Sequence, residues 1–200
     1  MKNILIIAVP RSGSTNLLQS ISSAYNYESL FEPRPTQLHT RRWKVKDSQV
    51  VKIISYPHLK YPTFYKDIIN QYQRTILLSR YNIKEQVESL AVLLDRDVRV
   101  PHTKWNEDEL KKISADTIEK TKEGIIANRV QLEKISKEFN LPINYYEDVY
   151  SNKYLIEKDI KLDLTFFEKT KKCRTPSLER KYLLKTTLYE KRRVLSNEST

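Results

Sequence analysis

The chain has 200 residues, with 36 Lys and Arg against 25 Asp and Glu, for a net charge of +11 at pH 7. That length suits one domain with a sizeable core, and no stretch approaches the ~18 apolar residues of a membrane-spanning helix. A single cysteine, Cys173, excludes an internal disulfide framework and a cysteine-based zinc cluster, and three histidines are too few for a His-rich metal site.

The opening apolar run is too short for a signal peptide, and a lone thiol suits a reducing compartment, so the expected location is cytoplasmic. The positive surplus calls for an anionic partner. Much of it lies in segments where Lys and Glu alternate, the pattern of solvated helix faces. An anionic small molecule accounts for it as well as nucleic acid does, and no nucleic-acid partner is expected.

Taken in chain order, apolar runs alternate with helical patterns. Asn3–Val9 reads as a strand, Ser14–Tyr25 as a helix, and Glu28–Phe31 as a short strand. In the first helix Leu17, Leu18, Ile21, Ala24 and Tyr25 share one face. Gln49–Ser55 and Arg74–Ser79 are nearly continuous apolar runs, as in strands covered on both faces of a parallel sheet. Helices are predicted over Thr63–Tyr72 and Asn82–Leu94. The latter has Asn82 as N-cap, Glu85 reaching back, and Ile83, Val87, Leu90, Ala91 and Leu94 on one face. Glu107–Phe139 is long and charged, and Gly124 predicts two helices or a kink. Ile143–Tyr146 reads as a strand, with helices over Val149–Ile160 and Ser177–Val194 after it. Strand alternating with helix predicts a single α/β domain of three layers with a mainly parallel central sheet, the basic last helix docking on it.

The most informative segment is Pro10-Arg11-Ser12-Gly13-Ser14-Thr15, a tight turn between the first strand and the first helix. Amides at a helix start, together with the helix dipole, bind phosphate or sulfate groups. The turn is not a Walker A loop, because GxxxxGK[ST] needs a Lys directly before its Ser or Thr. Here Ser14 follows Gly13, and the cation is Arg11. With only two glycines in the chain, Gly13 is expected to answer a backbone requirement.

Two later segments join this loop. Leu77–Leu90 ends a strand at Arg80 and carries Gln86 and Ser89 on the following helix. Ile143-Asn144-Tyr145-Tyr146-Glu147-Asp148-Val149 runs from a strand into an acidic helix start. In this order the three segments resemble the sulfotransferases that use 3′-phosphoadenosine 5′-phosphosulfate (PAPS), and the Arg80-to-Ser89 spacing is closer to the bacterial members. The resemblance covers about residues 1–165 and implies a P-loop-like fold. It further implies sulfuryl transfer from PAPS to a hydroxyl or amine acceptor, with release of PAP and without a metal.

The resemblance implies roles residue by residue. Arg11, Ser12, Gly13, Ser14, Thr15 and Asn16 would hold the 5′-phosphosulfate, with Arg11 neutralising the leaving phosphate. Arg80 and Ser89 would hold the 3′-phosphate, through a charge-assisted fork and a hydroxyl. Glu32, in Leu30-Phe31-Glu32-Pro33, is the first candidate for the base, and His58 the second. Lys52 loosely echoes a family lysine, or is a strand residue whose ammonium reaches to water. The Gly-rich loop that closes the 3′-phosphate site in the animal enzymes has no counterpart. Lys171-Lys172-Cys173-Arg174-Thr175-Pro176 is the nearest basic segment, with Arg174 as its candidate. The acceptor, a small molecule or glycan, would meet the Pro33–Lys46 and Asp95–Trp105 loops, which carry Trp43 and Trp105. A nucleotide kinase or NTPase, a basic nucleic-acid-binding protein and a sulfotransferase that binds PAP without turnover are the competing readings. The sequence does not specify the oligomeric state.

Overall fold

The computed structural model describes residues 3–33, 38, 45–57, 63–95 and 110–168. Its centre is a five-stranded, all-parallel sheet in the order β2-β3-β1-β4-β5. The strands are β1 Asn3–Ala8, β2 Glu28–Phe31, β3 Gln49–Ile54, β4 Arg74–Ser79 and β5 Ile143–Tyr145. The helices are α1 Ser14–Tyr25, α2 Phe64–Ile69, α3 Ile83–Asp95, α4 Ala115–Phe139, α5 Tyr146–Asn152 and α6 Thr165–Glu168.

Both faces of β1 are buried, as its unbroken apolar run requires. Alternate side chains go to opposite layers. Leu5, Ile7 and Val9 join Val51, Ile53, Leu77 and the apolar stripes of α2, α3 and α4. Ile4, Ile6 and Ala8 join Val50, Ile76, Leu78, α1 and α5, together with Leu155, Ile160 and Phe167 further along. Leu17, Leu18 and Ile21 of α1 are fully buried, each contributing about 1.5–3 kcal/mol over an exposed position.

The registers bring the carboxyl ends of the strands to one edge. Ala8 lies between Ile54 of β3 and Leu78 of β4, Phe31 is opposite Lys52, and Tyr145 is opposite Ser79. The residues that leave these ends are therefore neighbours: Pro10–Gly13, Glu32, Ser55–Tyr56, Arg80–Asn82 and Tyr146–Glu147. β1 leads off towards β2 and β4 towards β5, so adjacent strands diverge here. Open α/β sheets bind ligands at such a place.

Several expectations are corrected. The 107–139 segment is not divided at Gly124, which lies within α4 at a place where a Cβ would meet open space. Among the described residues the break falls before Ala115, where the Ser114 hydroxyl caps α4 by accepting from the Thr117 N–H at 3.1 Å. The helix expected over Val149–Ile160 starts at Tyr146 and stops at Asn152. Lys153 takes the left-handed conformation (φ 57°), and Leu155 and Ile160 then pack against the sheet from irregular chain. Leu94 is 60% exposed, whereas Gln86 and Ser89 of α3 are buried. The stripe of α3 is rotated towards the sheet edge and carries polar groups into the interior. The expected helix Ser177–Val194 lies outside the described residues.

Candidate functional site

The turn after β1 owes its shape to two residues with positive φ, Arg11 (59°) and Gly13 (75°), on either side of Ser12. For Arg11 that conformation costs about 1–2 kcal/mol. Gly13 is required for a second reason. A Cβ there would lie 2.5 Å from two carbons of the Tyr146 ring and 3.2 Å from the Tyr150 hydroxyl oxygen. Tyr150 also donates its hydroxyl hydrogen to the Gly13 carbonyl at 2.8 Å. The glycine thus lets α5 press against the loop.

Gly13 caps α1 through its backbone. Its carbonyl accepts from the Asn16 and Leu17 N–H groups at 3.1 and 3.2 Å, but no side chain caps this end and no acidic residue lies in its first turn. Neither its cap nor its first turn therefore supplies an anion to this helix start. The hydroxyl of Ser12 is fully buried and has no hydrogen-bond partner among the described residues, a state that costs roughly 1–3 kcal/mol. Ser14 is also buried.

Arg11, Ser89, Arg80 and Glu32 lie near one another at this edge, but Ser89, expected beside Arg80, is bonded to Arg11. Arg11 Nε donates to Ser89 Oγ at 2.9 Å. Burial, and then the nearby positive charge of Arg80, pull the Arg11 guanidinium below its ordinary value, and Glu32 opposes the fall. Ser89 is thus held by Arg11. The Arg80 guanidinium lies over the Tyr146 ring at 4.5 Å. It pairs with Glu85 at 2.6 Å and approaches Glu147 at 3.4 Å. Asn82 caps α3 as expected, accepting from the Glu85 N–H at 2.9 Å. The reach-back differs: the Asn82 N–H goes to Glu147 at 3.2 Å, and Glu85 turns to Arg80.

Glu32 closes the other side. It follows β2, has a positive φ of 39° directly before Pro33, and is 43% exposed at its side chain. A pre-proline residue normally stays extended, so this backbone stores strain. Its carboxylate pairs with Lys52 Nζ at 2.6 Å, and the same ammonium donates to Thr15 Oγ1 at 3.2 Å. Lys52 is 4% exposed at its side chain, so it does not reach out to water; it bridges the candidate base and the first turn of α1. Burial first, then the Glu32 charge, push the Tyr56 hydroxyl above its ordinary value.

Three further residues support the edge. Gln86 is fully buried; its amide donates to the Pro10 carbonyl at 2.8 Å and accepts from Arg129 of α4, also at 2.8 Å. Arg129 also donates to the Arg80 carbonyl. One buried amide therefore ties the loop after β1 to the chain leaving β4. Glu147 accepts from the Tyr81 and Asn82 N–H groups. The sequence shows Lys52 as the one charge inside an apolar strand, which is a usable signal. It shows no such mark on Arg129. His58, His39, Arg174, Trp43 and Trp105 lie outside the described residues.

Among the described residues no group of His, Cys, Asp or Glu is placed to hold a metal ion, and no helix is long and apolar enough to cross a membrane. Compared with protein-family models and with curated proteins, the chain finds no match.

Proposed function

We propose that the protein is a sulfotransferase with a P-loop-like fold, which moves a sulfuryl group from PAPS to a hydroxyl or amine acceptor. The observation that carries the reading is two guanidinium groups at one sheet edge, close enough for the charge of Arg80 to disfavour that of Arg11. They stand beside a helix start with no capping side chain and the buried Ser12 hydroxyl, which has no partner among the described residues. Glu85 and Glu147 already pair with Arg80, and an anionic ligand would join Arg11 and take the place of the exposed Glu85 on Arg80. A nucleotide with phosphates at both ends of one nucleoside supplies two anions a fixed distance apart.

PAPS brings an activated sulfuryl group on its 5′-phosphate and a separate 3′-phosphate. The turn amides and the Ser14 and Thr15 hydroxyls hold the 5′ end, and Arg80 with Ser89 holds the 3′ end. Glu32 takes the acceptor proton as the acceptor oxygen or nitrogen bonds to sulfur. The bond from sulfur to the bridging phosphate oxygen breaks, its electron pair stays on that oxygen, and Arg11 meets the charge that appears there. Lys52 orients Glu32 against Thr15. A small molecule or glycan is the acceptor.

The test is calorimetric titration with PAP, adenosine 5′-phosphate and ATP in the presence of EDTA. PAP should bind far more tightly than the other two. Equal affinity for all three, or binding only with added magnesium, contradicts the reading. Salt-sensitive DNA binding with no preference for PAP points to a nucleic-acid-binding protein instead.

A further inference from the structure

We infer that Glu85 is a built-in counter-anion on Arg80, which an incoming phosphate has to displace. The inference rests on the sulfotransferase reading of Arg80. The Arg80 side chain is 12% exposed and backed by the Tyr146 ring, so an incoming anion has to compete with the carboxylates already there. The two carboxylates differ in how firmly they are held. Glu147 is 4% exposed at its side chain, and both its oxygens accept backbone N–H groups, from Tyr81 at 2.8 Å and Asn82 at 3.2 Å. Its departure would take an acceptor from two backbone amides at a buried place, so it stays.

Glu85 stands in the first turn of α3 with half of its side chain in water. Among the described residues, its other side-chain hydrogen bond is from the Asn82 amide at 3.3 Å. When it swings away from Nη2 it regains hydration and strands nothing. The 2.6 Å position it leaves is on the guanidinium fork, where a phosphate oxygen binds by the same geometry. A phosphate monoester carries about −1.5 to −2 at neutral pH, against the single charge of the carboxylate. It displaces Glu85, whereas a sugar hydroxyl at the same place does not. The contest lowers the affinity for PAP slightly and leaves ligands without the second phosphate unaffected, because they do not displace Glu85.

Glu85→Gln keeps an acceptor for Asn82 and removes the competing charge. In calorimetric titrations it should bind PAP about two- to fivefold more tightly than wild type, the range expected for release of a partly exposed ion pair. Its affinity for adenosine 5′-phosphate should not change. Glu88→Gln, one turn along the same helix, controls for general loss of negative charge and should leave PAP affinity as in wild type. Unchanged or weaker PAP binding by Glu85→Gln, or equal tightening by Glu88→Gln, overturns the inference and leaves the proposed function standing. Failure of the wild-type protein to bind PAP overturns both.

Discussion

Replacing Gly13 with Ala tests the most constrained point of the site. The new Cβ would meet the Tyr146 ring at 2.5 Å, a distance that requires something to move. The ring has little freedom. The Arg80 guanidinium lies over it at 4.5 Å, and the Tyr150 ring stacks on it at 4.2 Å. Tyr150 is in turn bonded to the Gly13 carbonyl. Overpacking of this kind costs about 1–3 kcal/mol, and the left-handed backbone at φ 75° adds about 1–2 kcal/mol for a residue with a Cβ. The expected loss is about 2–5 kcal/mol, or roughly 4–20 °C in Tm for a chain of this size. Circular-dichroism melts and denaturant titrations read it directly. The clash and the backbone strain separate in a double-mutant cycle with Tyr146→Ala. In that background the ring is gone and Gly13→Ala should cost only the backbone share. The same cost in both backgrounds, or a Tm within about 1 °C of wild type, refutes the close approach of α5 to the loop.

Two further changes test chemistry and electrostatics. Glu32→Gln should keep PAP affinity and lower turnover on a working acceptor by about 10²–10⁴, the usual value of a positioned base; steady-state rates beside PAP titrations decide. If His58→Ala abolishes turnover and Glu32→Gln leaves it near wild type, His58 is the base. Glu157 is held above the ordinary carboxylate range, chiefly by burial. The folded protein therefore binds that proton more tightly than the unfolded chain, and stability falls as pH rises from the unfolded value through the folded one. Glu157→Gln retains an acceptor for the Asn144 amide and should raise Tm at pH 7. The gain should vanish below about pH 4, where the wild-type carboxyl is protonated in both states. A gain that does not change with pH contradicts the assignment.

Local chemistry made much of the fold readable. The apolar runs Ile4–Val9 and Val50–Ile54 are long enough, and uniform enough, to require a layer on each face, and both layers are there. Asn82 announced the start of α3 because a side-chain acceptor at that place has only one nearby use. Gly13 stood out because glycine is scarce in this chain and the turn needs positive φ. The failures share one cause, contacts distant in sequence. Gly124 lowers helix propensity, but α4 packs well enough through Ile125, Leu132 and Ile135 to run past it. Leu155 and Ile160 fall within the helix expected over Val149–Ile160, yet the core takes them from irregular chain after the αL stop at Lys153. In the site, the bond from Gln86 to the Pro10 carbonyl spans 76 residues, and that from Arg129 to Gln86 spans 43. No local pattern marks such partners. They exist because the sheet order sets β4 beside β1 and α3 against α4.

The most direct test of a two-anion site is the binding of PAP and adenosine 5′-phosphate to wild type and to Arg80→Ala. The two ligands differ only in the 3′-phosphate. A charge-assisted hydrogen bond is worth roughly 1.5–3 kcal/mol, so Arg80→Ala should weaken PAP about ten- to a hundredfold and leave adenosine 5′-phosphate within about twofold. Equal losses for both ligands would mean that Arg80 supports the fold without reading the second phosphate, and the account of this edge as a PAPS site would be wrong.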